Sequence, residues 1–424
     1  MTEGAADKTR PDHTRRNFVA LGLDYGGYLI GMSFASQATI LPAFAAHLGA
    51  SNLVIGAIPA VMTLGWFMPS LFAARHTEAL PRKLPFILRY TIWERVSLPA
   101  LAAVAFFVAE PAPRLTLVIV LLLLLGMTGV SGALIPAWMD VIARTIPTTL
   151  RGRFFGAANL LASVGGLLGS AATAYLLAAF PPPASYGLCF LAGSVFLALS
   201  YFALASAREP AAATTRTRVP LGAYLRRIPA LLRRDRNLFW FLVARAVTTL
   251  GAMGNGFYTV YALRAYAAPD WQVGVFTSLY LAGQMMGNLA LGWLADRVGH
   301  RIVLVVGVAS LAAGNVAALV APSVQGLGPV FLLSGVHLAA IHLSARTILL
   351  ELADDPDERP TYIGLANTAL APLSFATPLA GGLLADRFGF PTVFAVAASF
   401  GLVALVLLLG RVREPRRAPA TRER

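Results

Sequence analysis

The sequence predicts an all-α membrane protein of twelve helices, arranged as two six-helix bundles. Its 424 residues are 57% hydrophobic and the mean hydropathy is +0.68, both far above the values of soluble domains. Twelve apolar stretches are long enough to cross a bilayer as helices. Motifs of the first six stretches return in the second six, which indicates two bundles of like orientation.

The predicted spans 1 to 12 cover residues 18–46, 51–74, 84–109, 114–142, 152–180, 184–206, 237–266, 270–295, 300–321, 326–352, 360–385 and 390–411. The bundles therefore cover residues 18–206 and 237–411, with tails at 1–17 and 412–424 and a linker at 207–236. β-Strands are not expected, because the runs are too long and polar residues do not alternate with apolar ones. In the linker, leucines at helical spacing opposite paired arginines predict an amphipathic helix on the membrane surface. A flexible linker is the alternative.

The distribution of basic residues orients the spans. With the N-terminus inside, 28 of the 34 Lys and Arg residues fall in the tails, in the connections on that side or in the span ends beside them, and the other connections with their span ends hold only Arg114, Arg264 and Arg387. Because basic residues favour the cytoplasmic side, we expect both termini there, in the cell membrane and among its lipids. The net charge of +14 does not indicate a nucleic-acid partner, because the basic residues lie in short gaps between apolar runs.

Internal repeats support the two halves. Equivalent residues are Asn17 and Asn237, 220 apart, Gly56 and Gly274, 218 apart, and the pairs Arg151 and Arg359, Gly156 and Gly364, and Asn159 and Asn367, each 208 apart. Spans 1 to 6 and 7 to 12 therefore form parallel repeats, an arrangement typical of secondary transporters.

A short charged segment carries a family resemblance. Between spans 8 and 9, GWLADRVGHR at 292–301 combines a glycine, an Asp-Arg pair, a second glycine and further basic residues. At this place in a twelve-span chain it resembles the loop signature of the major facilitator superfamily, which implies that family's fold and a monomeric transporter. FATPLAGG at 375–382 also resembles, in span 11, a pattern that antiporters of the family carry in span 5. Here span 5 reads SVGGLLGSA without a proline.

The resemblance implies a gate at the cytoplasmic ends of the halves. In that family the loop aspartate caps the start of a span in the opposite half, which places Asp296 against span 5 near Arg151 and Arg153. Gly292 and Gly299 are then expected to allow close packing and a tight turn. The alternative is that these charges merely hold the loop in water.

The loop arginine of the family pairs with an acid at the end of the fourth span of its own half. This implies that Arg297 or Arg301 pairs with Glu351 in the second half.

The first half has no acid at the position equivalent to Asp296. There Arg75 or Arg144 is expected to pair with Asp140, so the predicted gate is asymmetric. Arg359, the repeat equivalent of Arg151, completes it.

Charged residues inside the spans are the candidates for substrate or proton binding, because each is costly in a bilayer. Asp24 in span 1 and Arg245 in span 7 occupy nearly equivalent positions, so we predict a pair between the halves. Separate snorkelling of both groups to the interface is the alternative. Glu94 lies near mid-depth in span 3, where it is either a proton site or, with Arg95, part of a structural ion network.

Span 10 carries a second group of candidates. His337 lies near the membrane midplane, and Arg346 follows His342 by one helical turn. His337 is either a proton or substrate site or a hydrogen-bonded structural residue. The neutral candidates are Gln37, Asn255, Tyr258 and Gln284, for which hydrogen bonds between helices are the alternative role.

These features favour a secondary active transporter that moves a small organic solute, coupled to protons, as in drug or metabolite efflux. Nutrient uptake is the alternative, and a membrane receptor, an assembly factor or a membrane enzyme are the other classes. No cofactor or metal is expected, because no GxxxxGK[ST], HxxxH or HExxH pattern occurs and Cys189 is the single cysteine. With Arg245 and Arg346 as the buried arginines, we expect an apolar, zwitterionic or weakly ionic solute.

Overall fold

The computed structural model describes residues 13–78, 80–210, 231–353 and 358–415, while the side chains of residues 70–79, 359 and 360 lie outside the description. Within these residues every regular element is a helix, as predicted. Most of the predicted amphipathic helix in the linker falls at 211–230, outside the described residues.

Helices occupy all twelve predicted spans. Span 1 consists of Thr14–Ser33 and Ile40–His47, span 2 of Asn52–Glu78, span 3 of Leu84–Phe107, span 4 of Pro113–Thr145, span 5 of Thr148–Ala179, span 6 of Ala184–Ala205, span 7 of Arg236–Gly251, Ala252–Gly254 and Tyr258–Ala265, span 8 of Trp271–Val298, span 9 of His300–Val320, span 10 of Gln325–Leu327, Gly328–Ser344 and Thr347–Leu352, span 11 of Arg359–Phe388, and span 12 of Phe390–Gly410. By length and composition, nine helical stretches of the described chain can cross a membrane. Spans 1, 3 and 8 are less apolar, and span 3 carries the buried Glu94 and Arg95.

Spans 1 to 6 pack on one another, as do spans 7 to 12, and we call these groups the N-terminal and C-terminal halves. The halves meet mainly along two helix pairs, span 2 with span 11 and span 5 with span 8, and span 1 makes smaller contacts with spans 7 and 8. Glycines allow close approach in both places. A Cβ on Gly274 of span 8 would lie within 3 Å of the Ala174 backbone in span 5, and one on Gly382 of span 11 would lie equally close to span 2.

Spans 1 and 7 are interrupted at equivalent positions, residues 34–39 and 252–257. In span 7 the break falls in GAMGNG, whose glycines weaken a helix. In span 1 the Ser36 hydroxyl accepts a hydrogen bond from the Ala38 amide at 3.3 Å, which competes with helix formation. Gln37 and Asn255 lie in the two breaks, 218 residues apart, which matches the spacing of Gly56 and Gly274.

Both described chain ends lie at one face of the molecule, which we call the terminal face; the other is the opposite face. At the terminal face Asn17 exchanges two hydrogen bonds of 2.8 Å with the Arg208 backbone, after span 6. Asn237 makes the same exchange with the Arg413 backbone, after span 12, at 3.0 and 2.8 Å. The first and last spans of each half are therefore joined in the same way, as the repeat of Asn17 and Asn237 implies.

The next residue in each half caps a helix. Glu209 accepts hydrogen bonds from the Lys83 and Leu84 amides at the start of span 3, at 2.6 and 2.7 Å. Glu414 accepts one from the Arg301 amide at the start of span 9, at 2.8 Å. Carboxylates suit these positions because the first amides of a helix lack partners within it. The tripeptide Arg-Glu-Pro, at 208–210 and 413–415, therefore fixes the third span of each half to its last.

Candidate functional site

A cavity of about 910 Å³ lies between the halves. Its lining residues come from spans 1, 2, 5, 7, 8, 10 and 11, on the parts of these spans nearer the terminal face. Tyr25 donates to Asn159 on this surface at 3.3 Å, so span 1 contacts span 5 there. The cavity is large enough for a drug-sized organic molecule.

Toward the opposite face the halves are joined by hydrogen bonds. Thr39 of span 1 bonds Thr277 of span 8, and Ser170 of span 5 bonds Ser278 of span 8, both at 2.7 Å. Thr259 donates to the Ala38 carbonyl, in the break of span 1, at 3.2 Å. These bonds close the cavity on that side.

Asp386, near the end of span 11, makes a further contact between the halves. Its two carboxylate oxygens accept hydrogen bonds from the Asn52 and Leu53 amides, the first of span 2, each at 2.9 Å. Arg264 of span 7 reaches the same place, where it donates to the Asn52 side chain at 2.8 Å and to the Ala50 carbonyl at 2.5 Å. The carboxylate binds where a helix presents unpaired amides and partial positive charge. We call this contact the opposite-face latch.

The segment around Asp386 repeats the segment around Asp296. Residues 292–299 read GWLADRVG and residues 382–389 read GLLADRFG, so the pattern G-x-L-A-D-R-x-G occurs twice, 90 residues apart. One copy ends span 8 at the terminal face and the other ends span 11 at the opposite face. Both close on a glycine with positive φ, +111° at Gly299 and +80° at Gly389.

The two copies are in different states. Gly382 lies against the backbone of residues 52 and 53, whereas a Cβ on Gly292 would meet no atom within 4 Å. Asp296 is exposed, and among the described contacts none joins it to the N-terminal half. The copy at the opposite face is therefore engaged and the copy at the terminal face is not.

A buried ionic network lies within the N-terminal half. Asp24 of span 1 accepts hydrogen bonds from Arg95 of span 3 at 2.8 Å, from Ser200 of span 6 at 2.7 Å and from Trp138 of span 4 at 3.0 Å. Asp24 and Arg95 are 4% and 8% exposed. The predicted pair of Asp24 with Arg245 is therefore wrong. Span 1 turns Asp24 into its own half, where Arg95 is the nearer cation.

Glu94 belongs to the same network. One of its oxygens lies 3.6 Å from the Arg95 guanidinium and accepts a hydrogen bond from Thr91 at 3.0 Å. The other accepts from Ser131 of span 4. Two buried carboxyl groups therefore share one guanidinium. With both ionised the network has one negative charge in excess, which is costly at this depth.

The C-terminal half contributes positive charge to the cavity. Arg245 of span 7 lines it together with His342 and Arg346 of span 10. Gln284 and Asn288 of span 8 add amides one helical turn apart on the same surface.

The sequence of the C-terminal half matches the family model described as Major Facilitator Superfamily, over residues 244–424. The match covers 181 of the 424 residues, so it makes the C-terminal half similar to the major facilitator superfamily. Among curated relatives, the "Tetracenomycin C resistance and export protein" of Streptomyces glaucescens is 32% identical over 130 residues, 31% of this chain and 24% of that protein. The "Multidrug efflux pump LfrA" of Mycolicibacterium smegmatis is 32% identical over 152 residues, 35% of this chain and 29% of that protein. The chain thus spans less than a third of the length of these two relatives.

Solved structures of two transporters superpose on nearly the whole chain. The "nucleoside transporter NupG" superposes with a TM-score of 0.69 at 10% identity, over 92% of this chain and 98% of that one. The "D-xylose-proton symporter" superposes with a TM-score of 0.68 at 15% identity, over 94% of this chain and 98% of that one. At these identities the likeness shows the fold alone, that of multi-pass helical transporters.

The gate implied by the superfamily resemblance is not closed in this structure. Asp296 does not cap span 5, and Arg151 instead donates to the Ala143 and Ile146 carbonyls of span 4, at 2.7 and 3.1 Å. Arg153 is exposed. Gly292, expected to pack closely, faces open space, while Gly299 makes the predicted tight turn. The side chains of Arg75 and Arg359 lie outside the described residues.

The implied pairing of Glu351 with Arg297 or Arg301 is wrong. His300 lies 3.8 Å from Glu351 and shares a 3.0 Å hydrogen bond with Ser344. The Arg297 guanidinium instead covers the ring of Trp293, one turn earlier in the same helix, at 4.2 Å from its centre.

Arg301 binds the end of span 12. Its side chain donates to the Leu408 and Leu409 carbonyls at 2.9 and 2.6 Å. The last carbonyls of a helix lack partners within it, so they attract a nearby guanidinium.

In the first half Asp140 makes the predicted pair with Arg144, at 2.5 Å, and a second pair with Lys83 at 2.6 Å. Arg144 also lies 3.6 Å from Glu209. Lys83 and Glu209 were missed by the sequence analysis, as were Asp386 and Glu414. The two Arg-Glu-Pro tripeptides and the two G-x-L-A-D-R-x-G patterns are the sequence signals for three of these four residues.

The other candidates are buried between helices, lie in the span breaks or line the cavity. His337 is buried and its Nδ1 donates to the Gly307 carbonyl of span 9 at 2.9 Å, which fits the structural role rather than a position on the cavity. Tyr258 is also buried and donates to Asn315 at 2.9 Å. Gln37 and Asn255 lie in the span breaks and do not line the described cavity, whereas Gln284 does.

Proposed function

We propose that this chain is a secondary active transporter that moves a small organic solute across the cell membrane by alternating access. The observation that carries the proposal is a cavity between two halves that are latched at one face and apart at the other. Such an arrangement exposes a solute to one side of the membrane at a time. A single chain contains both halves and the whole cavity, so a monomer is sufficient.

The terminal face is assigned to the cytoplasm. It carries the tails, the connections and the adjoining span ends that together hold 28 of the 34 Lys and Arg residues, a distribution that favours the cytoplasmic side. The cavity then opens inward in this state and the opposite-face latch closes the outer side. Efflux is the proposed direction, because two relatives are named for export or efflux.

The two G-x-L-A-D-R-x-G segments act in turn. When the cavity opens outward, the bonds of Asp386 to span 2 break and Asp296 binds the first amides of span 5, those of Thr148 and Thr149. The geometry of the engaged copy supports this assignment. Gly56, four residues into span 2, packs on Pro378 of span 11, and Gly152, four residues into span 5, has free space around it in the present state.

The buried network of the N-terminal half carries the coupling proton, and Glu94 is the proposed site. Asp24 is compensated by Arg95 through a 2.8 Å ion pair and by two further donors. Glu94 lies farther from the guanidinium, at 3.6 Å, and is held by hydroxyl groups. A hydroxyl serves a carboxylate and a protonated carboxyl equally well, because it both donates and accepts. Glu94 can therefore change its protonation state without losing its neighbours.

Transport in liposomes tests the proposal. The purified chain is reconstituted, a panel of organic solutes is added on one side, and proton movement is read from a pH-sensitive dye trapped inside. Solute-dependent proton flux supports coupled transport. Solute binding without flux would instead favour the receptor, assembly-factor or enzyme classes.

Glu94→Gln tests the proton site in the same assay. Exchange of solute across the membrane should continue while its response to a pH gradient is lost. Glu110→Gln, a change of an exposed acid in the connection between spans 3 and 4, is the matched control. A Glu94→Gln protein that still follows the pH gradient would refute the assignment of Glu94.

A further inference from the structure

The charged side chains described on the cavity wall are all basic. Arg245 from span 7 and Arg346 from span 10 face the cavity with His342, and among the described residues that line it there is no Asp or Glu. His342 and Arg346 are four residues apart and share a helix face. Arginine stays protonated under all physiological conditions, so this surface carries at least two positive charges.

Elsewhere in the described chain, buried cations have carboxylate partners. Arg95 pairs with Asp24, and Lys83 pairs with Asp140. No such ion pair is described for Arg245, which is half-buried, or for Arg346, which is exposed on the cavity surface, although each stands inside a span, where an uncompensated charge is costly. Both positive charges are therefore open to an anion that enters the cavity.

The other residues that line the cavity indicate the chemistry of the rest of this ligand. Amide groups of Asn159, Gln284 and Asn288 offer hydrogen bonds, and Phe241, Ile341 and Leu370 offer apolar surface. A small inorganic anion would leave most of a 910 Å³ cavity unfilled. A molecule with an apolar body and an acidic group fits both parts of the lining, and a guanidinium binds a carboxylate or sulfonate through two parallel hydrogen bonds.

We propose that the cavity binds organic anions, with Arg245 and Arg346 as the residues that hold the acidic group. This differs from the apolar or weakly ionic solute expected from the sequence. The expectation rested on the small number of arginines inside the spans. The fold, however, brings Arg245 and Arg346 to one cavity, and no acid among the described lining residues compensates them. The identification of the ligand as a transported solute rests on the proposed function, whereas its binding does not.

Binding of three matched probes to the purified full-length chain tests the proposal without transport. The probes are 2-naphthoate, 2-naphthamide and 2-naphthylmethylammonium, which share one aromatic body and differ in charge, and equilibrium dialysis measures their affinities. A charge-assisted pair of hydrogen bonds predicts that naphthoate binds about 10-fold to 100-fold more tightly than the amide, and that the ammonium binds most weakly. Naphthoate binding no tighter than that of the amide, including no measurable binding of any probe, overturns the proposal.

Variants locate the site. Arg245→Gln and Arg346→Gln should each weaken naphthoate binding about 10-fold or more and leave naphthamide binding nearly unchanged. Arg245→Lys keeps the charge but loses the paired hydrogen bonds, so it should recover part of the affinity and guards against a folding defect of the glutamine variant. Arg114→Gln, a change of an exposed arginine at the opposite face that does not line the cavity, is the matched control. Naphthoate binding that survives both glutamine changes overturns the proposal, whereas binding without flux in liposomes overturns only the proposed transport.

Discussion

Removal of the opposite-face latch should shift the protein toward the outward-open state. Asp386→Ala deletes both hydrogen bonds of 2.9 Å to the start of span 2 and the charge that faces its unpaired amides. Loss of a helix cap costs about 1–2 kcal/mol, and the exposure of Asp386 to water keeps the value in this range. A change of this size alters the ratio of outward-open to inward-open molecules about 5-fold to 30-fold.

Cysteine accessibility measures that ratio. The single natural cysteine, Cys189, is buried and is first replaced by serine. Ser163→Cys then reports on the cavity, which it lines, and Ser170→Cys reports on the contact between spans 5 and 8, where Ser170 is fully buried. In the Asp386→Ala protein, labelling of position 163 by a membrane-impermeant maleimide should slow and labelling of position 170 should accelerate.

A neighbouring arginine provides the control. Arg387 follows Asp386, is exposed, and has no described contact with the N-terminal half. Arg387→Gln should therefore leave both labelling rates unchanged. Faster labelling of position 163 in Asp386→Ala, or equal rates in the two variants, would refute the latch.

The remaining predictions concern the other latch and the buried network. Asp296→Ala should act in the opposite direction to Asp386→Ala, with faster labelling of position 163, and no change there would show that Asp296 takes no part in inner closure. Arg95→Met leaves two buried carboxyl groups without a counter-ion and should lower the free energy of unfolding in detergent by about 3–5 kcal/mol. Addition of Asp24→Asn should recover part of that loss, and a double variant no more stable than Arg95→Met would exclude the pair as the cause.

Hydropathy predicts the helical spans of this protein well, because it depends on composition along the chain. All twelve predicted spans contain helices. Ion-pair partners are harder to predict, because they depend on how each helix is rotated about its axis. Asp24 and Arg245 occupy equivalent positions in the two repeats, yet Asp24 turns toward span 3 and Arg245 toward the cavity.

The opposite-face latch was missed for a different reason. Equivalent residues of the two halves are 208 to 220 apart and lie at the same face, so alignment of one half with the other does not pair Asp386 with Asp296. The two G-x-L-A-D-R-x-G segments are 90 apart within one half and end helices that run in opposite directions. The two segments share a sequence pattern and a turn shape. Their common role as latches can be inferred only when the structure shows at which face each helix ends.

Two latches of the same sequence have a thermodynamic consequence. A transporter must populate both states, and a solute needs about 5.5 kcal/mol of differential affinity to move an equilibrium from 1:99 to 99:1. Latches built alike, each a carboxylate on the amides of a helix start, contribute similar free energies to the two states and largely cancel. Arginines accompany both sites, Arg264 beside Asp386 and Arg151 near the start of span 5. The double variant Asp386→Ala with Asp296→Ala should therefore restore the labelling ratio of the unmodified protein while it speeds exchange between the states, because each closed state has lost its stabilising contact.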